Sequence, residues 1–397
     1  MAKQISLESD LDLSSLKKFV NEEVIPHANR RDMSENFPVD LYQKLHTMGW
    51  MQASIPKRHG GPELSTLDLA TLSRELAYGS CGVMLSTMVN LLSNTALSLY
   101  GSASLQTKLF PELLRRFSFW SFAMTEPNAG TDVARTETRA TPVRGGYEIS
   151  GQKCFITNAN FADHLIVFAQ LNSNVSESSK SNLSAFYIPA GIPGVSRGKA
   201  IVKLGQKESN TSELYFEKVF IPEENLLGKA GDGLKILFHC IHRSKTLIAA
   251  AGVGACERAF ELATQHLNQR IHYGKPLLTQ PTISSLLAQL KTEVEAAWLL
   301  TCRAASVWDT GDFAVKEASM AKLYSADVSM KVVTEILELF GGYGYMAEYE
   351  IERIFRDVRA LEIFEGATFV QQLLIAKEIF PELRDTPKLR EVHKKAG

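Results

Sequence analysis

The spacing of apolar residues switches twice along this chain, from helical to alternating and back, and no other feature narrows the possible folds as far. Up to about residue 120 the apolar residues recur at helical spacing. Leu16, Phe19, Val20 and Val24 share a face of a segment over 13–27, and Pro26 should end that helix. Residues 55–62, with Pro56, Gly60, Gly61 and Pro62, read as a loop. Ser65 suits the cap of a helix over 67–77. Residues 84–99 are nearly all apolar or small, as in a buried core helix, although the same side chains could wall an apolar pocket. Between 121 and 230 the period falls to two. Strands are expected at 147–150, 165–169 and 214–219, with a Ser/Asn-rich hairpin loop at 172–181. After Gly233 helical spacing returns: Ile283, Leu286, Leu287, Leu290 and Val294 share one face, and Met320, Leu323, Val328, Val332 and Ile336 another. The expectation is an α+β fold. An N-terminal helical domain (1–120) precedes a middle β-barrel or sandwich (121–230) and a C-terminal four-helix bundle (231–397).

The charge balance excludes some functions. With a formal net charge of −1, no global field points to nucleic acid or to an anionic membrane. The five cysteines are far apart and lack CxxC spacing, so neither a disulfide framework nor a metal site is expected. The first fifteen residues have neither the apolar core of a secretory signal nor the Arg-rich character of a transit peptide. No apolar run suggests a membrane span. A cytoplasmic protein is the expectation, or a mitochondrial matrix one if the source is eukaryotic and a presequence has been removed.

Several short stretches carry chemistry. Gly341-Gly342-Tyr343-Gly344-Tyr345 breaks a helical pattern with residues that allow a backbone to approach a large ligand. Glu365 lies between the apolar pair Ile363-Phe364 and Gly366-Ala367; a carboxylate in dry surroundings becomes a stronger base. The stretch 122–132 puts Thr125 and Thr131 on a Pro/Gly-shaped turn, able to bind a heteroaromatic edge or merely to satisfy the turn itself. Lys153-Cys154-Phe155-Ile156-Thr157-Asn158 sets an aromatic face two residues before a hydroxyl on a strand, although these residues alone favour an ordinary strand with Phe155 in the core. Arg270 and Lys275 flank a turn beyond a helix end, either a diphosphate clamp or a solvated terminus. Gly252 and Gly254 lack the third glycine of a dinucleotide loop and read as close helix packing. His239 and His242 read as packed or solvated, not as metal ligands.

Together these stretches resemble, in order, the motifs of the acyl-CoA dehydrogenases: TEPxAGSD at 125–132, KxWITN at 153–158, RxxFGKP at 270–276, GGxGY at 341–345 and YEGT at 364–367. The likeness covers residues from about 10 to 380. It implies FAD, with Phe122, Met124, Thr125, Thr131, Phe155 and Thr157 around the flavin. Arg270, Tyr273, Glu338, Gly341 and Gly342 would meet the adenine half of an FAD across a subunit boundary, hence a homo-oligomer, tetramer or dimer. Glu365 would be the base that removes the proton α to an acyl-thioester carbonyl while hydride leaves the β carbon for flavin N5. Substrate would meet Thr131, His242, Lys245, Phe364, Met84 and Met88, the methionines favouring an apolar acyl chain. An electron-transfer flavoprotein would accept the electrons.

Within these motifs Thr131 stands for a serine, Phe155 for a tryptophan and Tyr273 for a phenylalanine, and further departures are Lys245 for an arginine, His242 for an aspartate, Pro281 and Glu338 for glutamines, and Ala367 for a threonine. They leave room for a carrier-protein thioester in place of CoA. Ser244 occupies the position from which a minority of the family supply the base, and a serine cannot serve there, so the resemblance leaves Glu365 as the base. Two other readings are an oxygen-using flavin oxidase or monooxygenase on the same fold, and a flavin-bearing protein without catalysis.

Overall fold

The computed structural model describes residues 9, 11–34, 37–172 and 181–384. The expected hairpin loop at 172–181 lies mostly outside the described residues. Helices come first: α1 (Ser14–Phe19), α2 (Ile25–Ser34), α3 (Val39–Thr47), α4 (Thr66–Gly79), α5 (Cys81–Tyr100) and α6 (Ala103–Arg115). Pro26 does not end the first helical run as expected. A π-helical turn, Val20–Val24, precedes it and the helix continues to Ser34. Widening the turn removes the conflict between the proline ring and the carbonyl four residues back. Ser65 caps α4 as expected, its hydroxyl accepting from the Asp68 amide while the Asp68 carboxylate accepts from the Ser65 amide.

The middle region is an eight-stranded sheet of β1 (Phe119–Ala123), β2 (Arg139–Val143), β3 (Gly146–Thr157), β4 (Ala162–Leu171), β5 (Leu183–Pro189), β6 (Val195–Arg197), β7 (Thr211–Pro222) and β8 (Leu226–Leu227). Its order is β6-β7-β3-β2-β4-β5-β8, with β1 parallel to β4 and off that path. Strand β4 is apolar on both faces because it separates two cores. Leu165, Val167 and Ala169 pack within the sheet, while Ile166 and Phe168 pack with residues of α5, α6 and α7.

Helix α7 (Gly233–Gln269) leads to a small hairpin, β9 (Ile271–His272) and β10 (Lys275–Pro276). Next come α8 (Pro281–Asp309), α9 (Val315–Leu339), α10 (Glu350–Arg359) and α11 (Thr368–Ile379). Helix α9 packs on α7, α8 and α11. The glycines of α7 serve contact, as their sequence context suggested: a Cβ on Gly254 would lie 2.0 Å from the Arg74 carbonyl oxygen of α4. Among the described residues one helix, α5, is long and apolar enough to cross a membrane by length and composition, but most of it is buried inside the protein.

Candidate active site

Where the sheet meets α5, α7 and the segment before α11, the chain encloses a cavity of about 590 Å³. Two of the motifs meet at its edge through a buried ion pair. The Lys153 ammonium of β3 donates to the Met124 carbonyl at 3.0 Å and to Glu126 at 2.7 Å, with both side chains almost wholly enclosed. Glu126 also accepts from the Thr138 amide and hydroxyl, and the Cys154 amide donates to the Thr125 carbonyl. Burial pulls the Lys153 ammonium down to about 8 in spite of its partner. This arrangement fixes Met124 and Thr125 beside Phe155 and Thr157, and all four line the cavity together with Phe122. Phe155 has φ of 57° and is 67% exposed, its ring turned out of the strand and not in the core, as the strand pattern alone suggested. The sequence holds Lys153 and Glu126 at a separation of 27 residues, and only the folded chain shows that they meet and are buried.

Glu365 lies on the wall of the same cavity with Phe364 and Gly366. It holds a left-handed backbone, φ 55°, and Gly366 follows at 93°. Non-glycine residues persist there only when their surroundings enforce it. Here the Gln371 amide of α11 donates to the carbonyls of Glu365 and Gly366, at 3.1 and 2.6 Å, and Lys322 of α9 donates to the Gly366 carbonyl at 2.8 Å. A Cβ on Gly366 would lie 2.5 Å from the Gln371 amide nitrogen. The Glu365 carboxylate accepts from the Ser244 hydroxyl at 2.7 Å. Burial pushes its pKa up, opposed by that hydrogen bond and by the ammonium groups of Lys245 and Lys322. Burial in turn pulls both lysines down to about 8. Ser244, Lys322 and Gln371 were not proposed from sequence as site residues, because each reaches the turn from another helix.

The expected substrate residues divide. Met88 of α5 lines the cavity with Val89 and Leu92, whereas Met84, one turn earlier, is buried in the core and does not. Ile241 is on the cavity wall, whereas His242, the next residue round the helix, and Lys245, one turn further on, do not line it. Those two are buried away from the wall, with Lys245 Nζ 3.4 Å from His242 Nδ1. Burial and the neighbouring ammonium lower the imidazole to about 3, so it is neutral. Thr131 is exposed, while its neighbour Gly130 lines the cavity.

The remaining cofactor candidates form a second, more open cleft. Arg270, Glu338, Gly341 and Gly342 line it together with His266 and Phe340, whose rings stack at 4.2 Å. A Cβ on Gly341 or Gly342 would meet nothing within 4 Å, so open space borders both. Tyr273, at the tip of the β9–β10 hairpin, is 90% exposed and does not line the cleft. Among the described residues no cluster of potential metal ligands is found.

Helices and a sheet thus surround a largely apolar cavity with one carboxylate, Glu365, on its wall. Comparison with known proteins identifies the class. Three consecutive family descriptions match: acyl-CoA dehydrogenase N-terminal domain over residues 8–116, middle domain over 121–219 and C-terminal domain over 231–380. The chain belongs to the acyl-CoA dehydrogenase family, oxidoreductases acting on a CH–CH group, and the family implies FAD. It is 35% identical over 370 residues to the cyclohexane-1-carbonyl-CoA dehydrogenase of Geobacter metallireducens, covering 93% of this chain and 96% of that one. The butyryl-CoA dehydrogenase of Megasphaera elsdenii superposes with a TM-score of 0.87 at 32% identity, covering 94% and 100%. The prolyl acyl carrier protein oxidase AnaB superposes with a TM-score of 0.87 at 29% identity, covering 92% and 97%.

Proposed function

We propose that this protein dehydrogenates an acyl thioester between its α and β carbons, with Glu365 as the base that removes the α proton. The observation that carries this reading is the Glu365 carboxylate itself, enclosed on the wall of an apolar cavity and made more basic by burial. Met88, Val89 and Leu92 offer an apolar wall for the acyl chain. The Glu365 amide makes no hydrogen bond among the described residues, so it is free to donate to the thioester oxygen as enolate charge develops. The residues fit FAD: Met124, Thr125, Phe155 and Thr157 would hold the flavin. Arg270, Gly341 and Gly342 would hold the far half, in a homo-oligomer where clefts of two copies meet. FAD, when bound, supplies the acceptor for the hydride leaving the β carbon. The electrons would pass on to an electron-transfer flavoprotein.

The likeness to AnaB favours a second reading, oxidation of a carrier-protein thioester with oxygen as acceptor. Purified protein should be yellow and should bleach under anaerobic conditions with its thioester. A panel of acyl-CoA and acyl-carrier-protein thioesters, watched by flavin absorbance, separates the donors. The rate at which air restores the colour separates the acceptors, slow return supporting the dehydrogenase and rapid return the oxidase. A preparation that no thioester bleaches contradicts both.

A further inference from the structure

Ser244 has two partners for one proton. Its hydroxyl oxygen lies 2.7 Å from Glu365 Oε2 and 3.0 Å from the carbonyl oxygen of Ile241. A hydroxyl carries a single hydrogen and can donate to only one of them at a time. Both are in place together, and Ser244 itself is buried. We propose that Ser244 is a positioning residue for Glu365: its hydroxyl donates to Oε2 while the carboxylate is ionised and turns to Ile241 once the carboxylate has taken up a proton. This rests on Glu365 being the base.

The balance of the step is simple. Glu365 gains the proton lost by the substrate α carbon and its negative charge disappears. Oε2 becomes a weaker acceptor, and the Ser244 O–H rotates to the Ile241 carbonyl without any heavy atom moving. The hydroxyl is therefore satisfied in both states, and neither leaves a buried donor without a partner. The ammonium groups nearby make no hydrogen bond to the carboxylate: Lys322 of α9 donates to the Gly366 carbonyl, and Lys245 Nζ lies 3.4 Å from His242 Nδ1. Both act on Glu365 through charge, as does the Cys240 thiol of α7 if ionised. Lys322 also senses Asp327 and Glu362. Arg356, Arg359 and Lys203 line the same cavity. Of these groups only Ser244 has a hydrogen bond to the carboxylate.

The sign follows. A hydrogen bond to the ionised form lowers a carboxyl pKa, so removing it raises the pKa. The test is the pH dependence of anaerobic flavin bleaching at saturating thioester, on FAD-loaded protein. Ser244→Ala should keep its FAD and move the acid limb of the bleaching rate upward by about one pH unit, the equivalent of one charged hydrogen bond. Ser244→Thr, which retains the hydroxyl, should return the limb toward wild type. A purely structural role would scale the rate at every pH and leave the limb where it was. Glu365→Gln in the same assay separates two failures. If that variant is slow while the Ser244→Ala limb superimposes on wild type, the base stands and the role of Ser244 falls. If that variant bleaches at the wild-type rate, the base assignment falls first and takes Ser244 with it.

Discussion

The cavity at Glu365 and the cleft at Arg270 differ in how much of each this one chain supplies. Around Glu365 every charged or polar neighbour has its counterpart in the same chain: Ser244 and Lys245 from α7, Lys322 from α9, Gln371 from α11. The Lys153–Glu126 pair closes the other edge. At the second cleft the chain stops short. Tyr343 and Met346, which line it, are 45% and 47% exposed, open space borders Gly341 and Gly342, and the Arg270 guanidinium lies 5.9 Å from the Tyr343 ring. A cation, bare backbone and an aromatic ring left facing solvent suit a partner from outside the chain. This is the basis for proposing an FAD diphosphate there, shared with a second copy. A self-sufficient site and an incomplete one should respond differently to mutation.

The largest effect is expected where the closed cavity is most tightly satisfied. Lys153→Met leaves Glu126 buried without its cation, and breaking such a pair by removing one partner costs about 3–5 kcal/mol. Denaturant unfolding should show a correspondingly lower midpoint. An unchanged midpoint would mean that the pair does not hold the two motifs together. The open cleft should behave in the opposite way. Arg270→Ala should leave the unfolding midpoint of the flavin-free protein unchanged and weaken FAD retention by about ten- to a hundredfold, the worth of a charge-assisted hydrogen bond of roughly 1.5–3 kcal/mol. Flavin content after dialysis checks this. Full occupancy with unchanged affinity would remove Arg270 from the diphosphate and weaken the contrast between the two sites.

The same contrast explains what could be read from the sequence. The α+β order was legible because it rests on local periodicity, which switches with the surroundings of each segment. Most motif residues lie where they could act together: Met124, Thr125, Phe155, Thr157, Phe364 and Glu365 line one cavity, and Arg270, Glu338, Gly341 and Gly342 the other, while Thr131 and Tyr273 line neither. Facing was not legible wherever it depended on helix phase. Met84 and Met88 look equivalent in an apolar run, yet only one points into the cavity. His242 follows Ile241 on a helix that lines the site but does not itself line it, and Lys245 reaches Glu365 through charge without lining the cavity. Gln371 could not be foreseen because its target is a backbone turn formed only when α11 docks. The run through Pro26 failed for a local reason, since a π turn removes the clash that would otherwise end the helix.

The central claim is that Glu365 is the base, and its most direct test is the rate of anaerobic flavin bleaching by a competent thioester in Glu365→Gln. Glutamine keeps the size and much of the hydrogen bonding but has no basic lone pair, so FAD and thioester should still bind. Wild-type bleaching should speed up as pH rises through a carboxyl pKa above its ordinary value, because burial raises it and only the ionised form accepts a proton. In the glutamine variant that limb should disappear and the rate should fall by about 10²–10⁴-fold, the usual worth of a positioned base. Bleaching near the wild-type rate, with the acid limb intact, would contradict the account.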